Sequence, residues 1–381
     1  MSESVRRWPR LRLEPRLEPS RVAQFTVPLI AVALTVLAGS MLFVLLGKPP
    51  LAALHAFFIE PLLTRYGIGE VALKAVPLII IAQGLAIGFR ARVWNIGAEG
   101  QLLMGAIAAG WLAILFHEGG SAWLLPGMVV AGVVAGAGWA GIAAFLRVRF
   151  NANEILVTFM MSSIALQILY FLVTGPLRDP QGFNFPQSVM FEDAALFTPL
   201  AADVRISGTL YLALAVSLAA WVFMQRSLPG YKLLVSGLAP RAARYAGFAQ
   251  NRAVWYGLLI GGAAAGLAGV AEVAGPLGLL QRNISPGYGF AAIIVAFLGG
   301  LHAIGIVFAG LLMALIYVGG DMSLISVNLP HASITVFQGL LLIFYLASHL
   351  FVFYRVRFIR PTTWRDASGA RVDHVKTEVA S

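Results

Sequence analysis

The 381 residues contain no cysteine, which excludes a disulfide framework and any thiol chemistry. Charge is scarce. Asp, Glu, Lys and Arg make up 12% of the chain, against about 25% in an ordinary soluble domain. Acids are the rarer sign, 17 against 27 basic residues, so the net charge is +10. The six histidines form no HxxH or HExxH pair, so the spacing of a protein-built metal site is missing. No GxxxxGK[ST] loop is present, which excludes ATP hydrolysis by that route. There is no arginine-rich voltage-sensor repeat and no chain of intramembrane Asp, Glu and His to relay protons. No nucleophile–base constellation stands out, so no catalytic residue and no resident cofactor are assigned.

What is plentiful is apolar. Hydrophobic residues make up 59% of the chain, and mean hydropathy is +0.83. The chain reads as an all-α polytopic membrane protein. A spanning helix needs about 20 apolar residues, and ten segments qualify as candidates: 26–46, 71–89, 99–116, 122–146, 154–174, 208–224, 253–274, 287–300, 303–318 and 334–354. The eighth is short and glycine-rich. Residues 1–25 and 355–381 read as tails, with a membrane-spanning core at 26–354 between them. The N-tail holds six arginines and is too long and polar for a signal peptide.

Basic residues give the orientation. With the N-terminus inside, 21 of the 27 Lys and Arg fall in inner segments. Lys48, Arg65, Arg178, Arg205 and Arg282 fall outside, and Lys74 lies within a span, near enough to an end to snorkel. Both termini are then cytoplasmic, which needs an even number of spans. In a membrane protein this basic excess reports topology, and no nucleic acid is expected as partner. Two outer segments are long. In 47–70, Leu54 to Ile59 reads as an interfacial helix. Residues 175–207 read either as a solvated loop or as a docking surface.

One stretch interrupts the apolar sequence most sharply: Asn95-Ile96-Gly97-Ala98-Glu99-Gly100-Gln101. A carboxylate and two amides at membrane depth need partners or a cavity, and glycine lets backbone turn or approach closely. Asn283-Ile284-Ser285-Pro286-Gly287-Tyr288-Gly289-Phe290 echoes it from the opposite face. Spans two to five and seven to ten then read as inverted-topology repeats with broken helices, a plan that puts a transport site near the midplane. Glu272, deep in span seven, is the second ionisable group at depth. The path or hinge residues are therefore Asn95, Gly97, Glu99, Gly100, Gln101, Glu272, Asn283, Gly287, Tyr288, Gly289 and Phe290. Glu99 fits two roles, lining the path or capping the positive end of its own helix. Gln83, Gln167 and Gln338 fit hydrogen bonds between helices.

The longest inner loop, 225–252, holds five basic residues and no acid. Residues 233–248 read as turn, short helix, turn. Pro240 suits the first helical position and Gly247 the stop. Such a capped helix on an inner loop is a surface for a partner protein. Gly237, Pro240, Arg241, Ala243, Arg244, Tyr245 and Gly247 are its candidate coupling residues. With no energy source visible on this chain, the drive is expected from another subunit. A stand-alone secondary transporter or channel for a small polar solute is the alternative.

Trp94 to Gln101 followed by Leu102-Leu103-Met104-Gly105-Ala106 resembles the signature of permease subunits of bacterial ABC importers for nucleosides and simple sugars, relatives of the ribose and branched-chain amino acid permeases. Asn153-Glu154-Ile155-Leu156-Val157-Thr158-Phe159-Met160, Gly175 to Pro180, Ala242 to Gly247, and Gly287 to Phe290 with Ala296 to Gly299 resemble further family segments in order. Ser162-Ser163 stands where that family has Leu-Asn, and Gly299 to His302 where it has Gly-Arg-x-Asn. The resemblance spans about residues 25 to 355. It implies a multi-pass permease of the bacterial inner membrane, paired with a second permease, homologous or identical. It also implies a cytoplasmic ABC ATPase that carries the ATP and magnesium, and an external substrate-binding protein or lipoprotein. The cargo it implies is a nucleoside, nucleobase or simple sugar.

Overall fold

A computed structural model describes residues 10–16, 21–117, 120–183, 185–201 and 204–359. Among these, nine helices are long and apolar enough to cross a membrane. They are α1 (Arg21–Leu45), α3 (Arg65–Arg90), α4 (Ala98–Leu115), α5 (Leu124–Phe150), α6 (Glu154–Thr174), α7 (Thr209–Arg226), α10 (Gln250–Leu277), α12 (Ala303–Ser326) and α13 (Ala332–Phe353). Shorter apolar helices are α2 (Pro50–Leu63) and α11 (Tyr288–Leu298). On the inner loop stand α8 (Leu228–Leu238) and α9 (Pro240–Tyr245). Strands are few: β1 (Arg10–Pro15), β2 (Pro199–Ala201), β3 (Val204–Ser207) and β4 (Tyr354–Ile359).

Contacts divide the chain into two units. In the unit formed by residues 1–32 and 344–381, β1 pairs antiparallel with β4, Arg10 opposite Ile359 and Pro15 opposite Tyr354. Glu14 and Arg355 form an ion pair at 3.2 Å across that ladder. The ladder falls within the expected tails; residues 1–9, 17–20 and 360–381 lie outside the described residues. The pairing brings residues 10–15 and 354–359 together, which fits an even number of crossings. Beside the nine long helices, residues 278–298 are the candidate for the tenth, irregular backbone first and helix afterwards.

That tenth segment corrects an expectation. The eighth span is not a full helix. α11 has 11 residues, about 16 Å at 1.5 Å per residue, roughly half of a hydrocarbon core about 30 Å thick. Gly278 and Gly287, both at positive φ, bracket backbone that cannot continue a helix.

In the unit of residues 33–343, α3 and α10 lie at the centre, with 89% and 78% of their apolar windows buried against 28% for several peripheral spans. They are joined by small residues. A Cβ on Gly266 would overlap the Gly132 carbonyl oxygen and press on the Gly136 Cα, so α10 and α5 meet backbone to backbone. Gln83, buried on α3, donates to Ser217 at 3.2 Å and to the Ala303 carbonyl at 2.9 Å. This is the interhelical role expected of it.

Local caps explain several starts. Thr64 accepts from the Gly67 N–H, Asn153 from Ile155 and Ser227 from Gly230, each relieving an orphan N–H of a first turn. Asn151, at φ 51, ends α5 in the left-handed region that asparagine tolerates. In α2, which contains the stretch expected at the interface, a π-turn at His55–Ile59 holds Phe57, which is fully buried and stacks on Phe337 at 4.7 Å, while Leu51, Ile59 and Leu63 stay exposed. On the inner loop, residues 233–238, expected as a turn, form the second half of α8. Pro240 opens α9 and Gly247, at φ 76, follows its end, as the sequence implies.

Candidate translocation site

The first break follows α3. Arg92 turns the chain at φ 57, and Arg90 donates to the Leu301 carbonyl at 3.0 Å. Trp94 joins Phe89 and Phe297, at 5.2 and 5.8 Å, in a three-ring cluster in which the two phenylalanines stack on each other. Asn95 and Gln101 then form a reciprocal amide pair. The Asn95 Nδ2 donates to Gln101 at 2.8 Å, and the Gln101 Nε2 donates back at 3.0 Å. Asn95 also accepts from the Gly97 N–H. Both side chains are buried, so their polar atoms serve the break and not a solute.

Helix α6 supplies the remaining partners. The Thr158 hydroxyl accepts from the Ile96 N–H at 3.2 Å, and Ser162 from the Gly100 N–H at 3.3 Å. Gly97 and Gly100 lie so close to the α6 backbone that a Cβ on either would overlap it. These two hydroxyls carried little warning in sequence. A helical Thr or Ser ordinarily bonds its own preceding turn, as Thr158 also does to the Glu154 carbonyl.

The second break follows α10, whose last turn is a π-turn at Val273–Leu277. Residues 278–285 run as irregular backbone against the outer loop, with one bridge between Gln281 and Gln187. Phe191 donates to the Gly278 carbonyl at 2.7 Å, and Ser188 and Leu280 exchange bonds at 2.8 and 2.9 Å. The 175–207 segment is therefore neither simply solvated nor wholly free for docking: part of it pairs with the break and buries Ser188, Phe191 and Ala195. Ser285 caps α11 by accepting from the Gly287 and Tyr288 N–H groups, a Ser-x-x start that was readable in sequence.

The two breaks meet. The Glu99 carboxylate accepts from the Gly289 N–H at 2.7 Å, so Glu99 caps α11 and not its own helix α4. A Cβ on Gly289 would overlap the Glu99 backbone nitrogen. The Glu99 carboxylate thus ties the first turn of α4 to the first turn of α11.

Beside this junction lies a cleft of about 240 Å³. Glu99, Ser163, Tyr170, Arg282, Asn283 and Phe290 are among its lining residues. An outer cleft of about 500 Å³ adjoins it and shares Tyr170, Arg282 and Asn283. The structure thus divides the expected path residues. Glu99, Asn283 and Phe290 line a cleft, with Gly287 and Gly289 shaping its wall. Asn95, Gln101, Tyr288 and Glu272 are buried behind it. Glu272 lies in the field of Lys74, Arg205 and Glu70. The half-buried Lys74 places its ammonium 5.6 Å from the centre of the Tyr288 ring, within reach of a cation–π contact.

On the inner side, α9 exposes Arg241, Arg244 and Tyr245, while Ala243 is buried. Tyr245 is 98% exposed. A Cβ on Gly237 would overlap the Arg90 carbonyl, so α8 rests directly on the end of α3, one turn before the first break.

Spanning helices broken at a shared polar junction, with clefts beside it, define a membrane permease. The chain matches the family described as branched-chain amino acid transport system / permease component over residues 67–346, and it belongs to that family. It is 36% identical to a glucose ABC transporter permease protein of Haloferax volcanii over 358 residues, covering 91% of this chain and 93% of that one. It is 30% identical to a guanosine ABC transporter permease protein of Bacillus subtilis over 344 residues, covering 89% and 96%. A nucleoside ABC transporter permease protein of Lactococcus lactis is 27% identical over 308 residues, covering 79% and 85%. No solved structure matches. The protein is a multi-pass membrane permease.

Proposed function

We propose that the chain is the permease subunit of an ATP-driven importer, moving a nucleoside, nucleobase or simple sugar across the cytoplasmic membrane. The observation that carries this reading is the junction of the two breaks at Glu99 and Gly289, beside a cleft that continues toward the outer loop. The two helix ends there are held by a few hydrogen bonds, so small shifts of α4 against α11 change the cleft. The cargo class comes from the relatives, which are permeases for glucose, guanosine and nucleosides.

ATP and magnesium reside on a separate cytoplasmic ATPase, and this chain carries no catalytic residue or cofactor of its own. The ATPase docks at α9, where Arg241, Arg244 and Tyr245 project, and Gly237 passes its motion to the end of α3. A second permease, homologous or identical, walls the exposed side of α6. An external binding protein delivers the solute. The tails 1–25 and 355–381 flank the permease core on the cytoplasmic side.

Purifying the full chain from its own membranes tests the coupling role. An ABC ATPase is expected to come with it and to be lost in the Arg241→Glu, Arg244→Glu double variant, while the variant permease keeps its elution profile. Unchanged ATPase recovery from that variant would remove α9 from the interface.

A further inference from the structure

Tyr170 stands near the outer end of α6, and Arg282 lies in the irregular stretch before α11. The Arg282 guanidinium is 4.3 Å from the centre of the Tyr170 ring. Both residues, with Asn283, line the outer cleft and the inner one. The pair therefore stands where one cleft ends and the other begins. Among the described residues no carboxylate forms an ion pair with Arg282. Its guanidinium lies against the tyrosine ring, and its N–H donors remain for a solute.

We propose that Tyr170 and Arg282 form the outer gate of the path and make the first contact with a nucleobase-bearing solute, which opens the gate by taking each residue's place on the other. This rests on the permease reading and deepens it by naming the solute class and the residues that meet it. A base stacks on an aromatic ring whatever its sequence identity. The carbonyl and ring-nitrogen edge of a purine matches the arginine fork with two parallel bonds. A hexose offers hydroxyls and no planar acceptor edge. The inner cleft, about 240 Å³, is smaller than a pocket for a drug-sized ligand, so it takes one ring system at a time.

The absence of cysteine supplies the test. Ser163 lines the inner cleft and is exposed there, so Ser163→Cys places a lone thiol beyond the gate. In right-side-out vesicles carrying the full chain, a membrane-impermeant thiol reagent should label it slowly. Adding Tyr170→Ala or Arg282→Ala should speed labelling by about tenfold, as loss of one partly desolvated cation–π contact allows. Arg282→Lys, which keeps a cation for the ring and loses the planar fork, should label more slowly than Arg282→Ala. Tyr170→Phe, which keeps the ring, should label as slowly as the parent. Equal rates in all of these variants, or fast labelling of Tyr170→Phe, would overturn the gate. Inosine at millimolar concentration should alter labelling of the intact gate, and glucose should leave it unchanged. The same response to both, or to neither, would overturn the nucleobase assignment. These rates need neither ATP nor an ATPase, so their failure and failure of the importer reading are separate results.

Discussion

Asn95 and Gln101 illustrate how a polar residue in a membrane span divides between structure and transport. Each satisfies the other inside a dry break, and removing one leaves a buried amide unpaired at a cost of about 1–3 kcal/mol. Asn95→Leu and Gln101→Leu should therefore each lower the thermal midpoint of the purified permease, and the double variant should lose less than the two singles combined. Strictly additive losses would show that the pair is not coupled. The Glu99 carboxyl accepts the Gly289 N–H, a bond worth about 0.5–1.5 kcal/mol. Glu99→Gln keeps an oxygen acceptor on a side chain of the same length; Glu99→Ala loses it. Thermal midpoints should fall in the order parent, glutamine, alanine, and equal midpoints would deny the cap. At this scale the sequence marked Glu99 as either path or cap but could not name the helix being capped. The partner stands 190 positions away, and no local pattern reports such a distance. Thr158, Ser162 and Arg282 stayed hidden for the same reason: their roles are set by what folds against them.

Among the elements, α11 departed furthest from its sequence reading. Its apolar run looked like a short span, yet the helix starts only at Tyr288, after irregular backbone between the two positive-φ glycines. The short inner helix, by contrast, was legible almost to the residue, because Pro240 and Gly247 act through local backbone geometry alone. Gly289→Ala should abolish uptake and lower the thermal midpoint, since its Cβ would overlap Glu99; an unaffected permease would mean that α4 and α11 part easily. The corner after α11 carries a pH dependence. Burial, then the charge of Arg90, holds the His302 imidazole below its ordinary value of 6.5. The folded state thus prefers the neutral ring. Its contribution is complete above about pH 6.5 and is lost as pH falls toward the lower folded value. His302→Gln should flatten the acid-side decline in thermal stability, and an identical pH profile in the variant would contradict this.

Across the whole molecule, membrane class, helix count and orientation follow from composition and the placement of arginine, which are global properties that need no contact map. The meeting of two breaks from opposite halves of the chain does need one, and it joins the inner loop to the cleft. Gly237 touches Arg90, α3 leads into the first break, and the first break caps the second. The importer reading predicts that this line carries work done by ATP. Its most direct test is solute accumulation by right-side-out vesicles bearing the assembled complex, loaded with ATP and magnesium, with ionophores present to collapse ion gradients and with the external binding protein supplied. Radiolabelled inosine should accumulate only when ATP is enclosed, and not in the Arg241→Glu, Arg244→Glu variant. Accumulation that ignores ATP and follows an ion gradient would contradict the account.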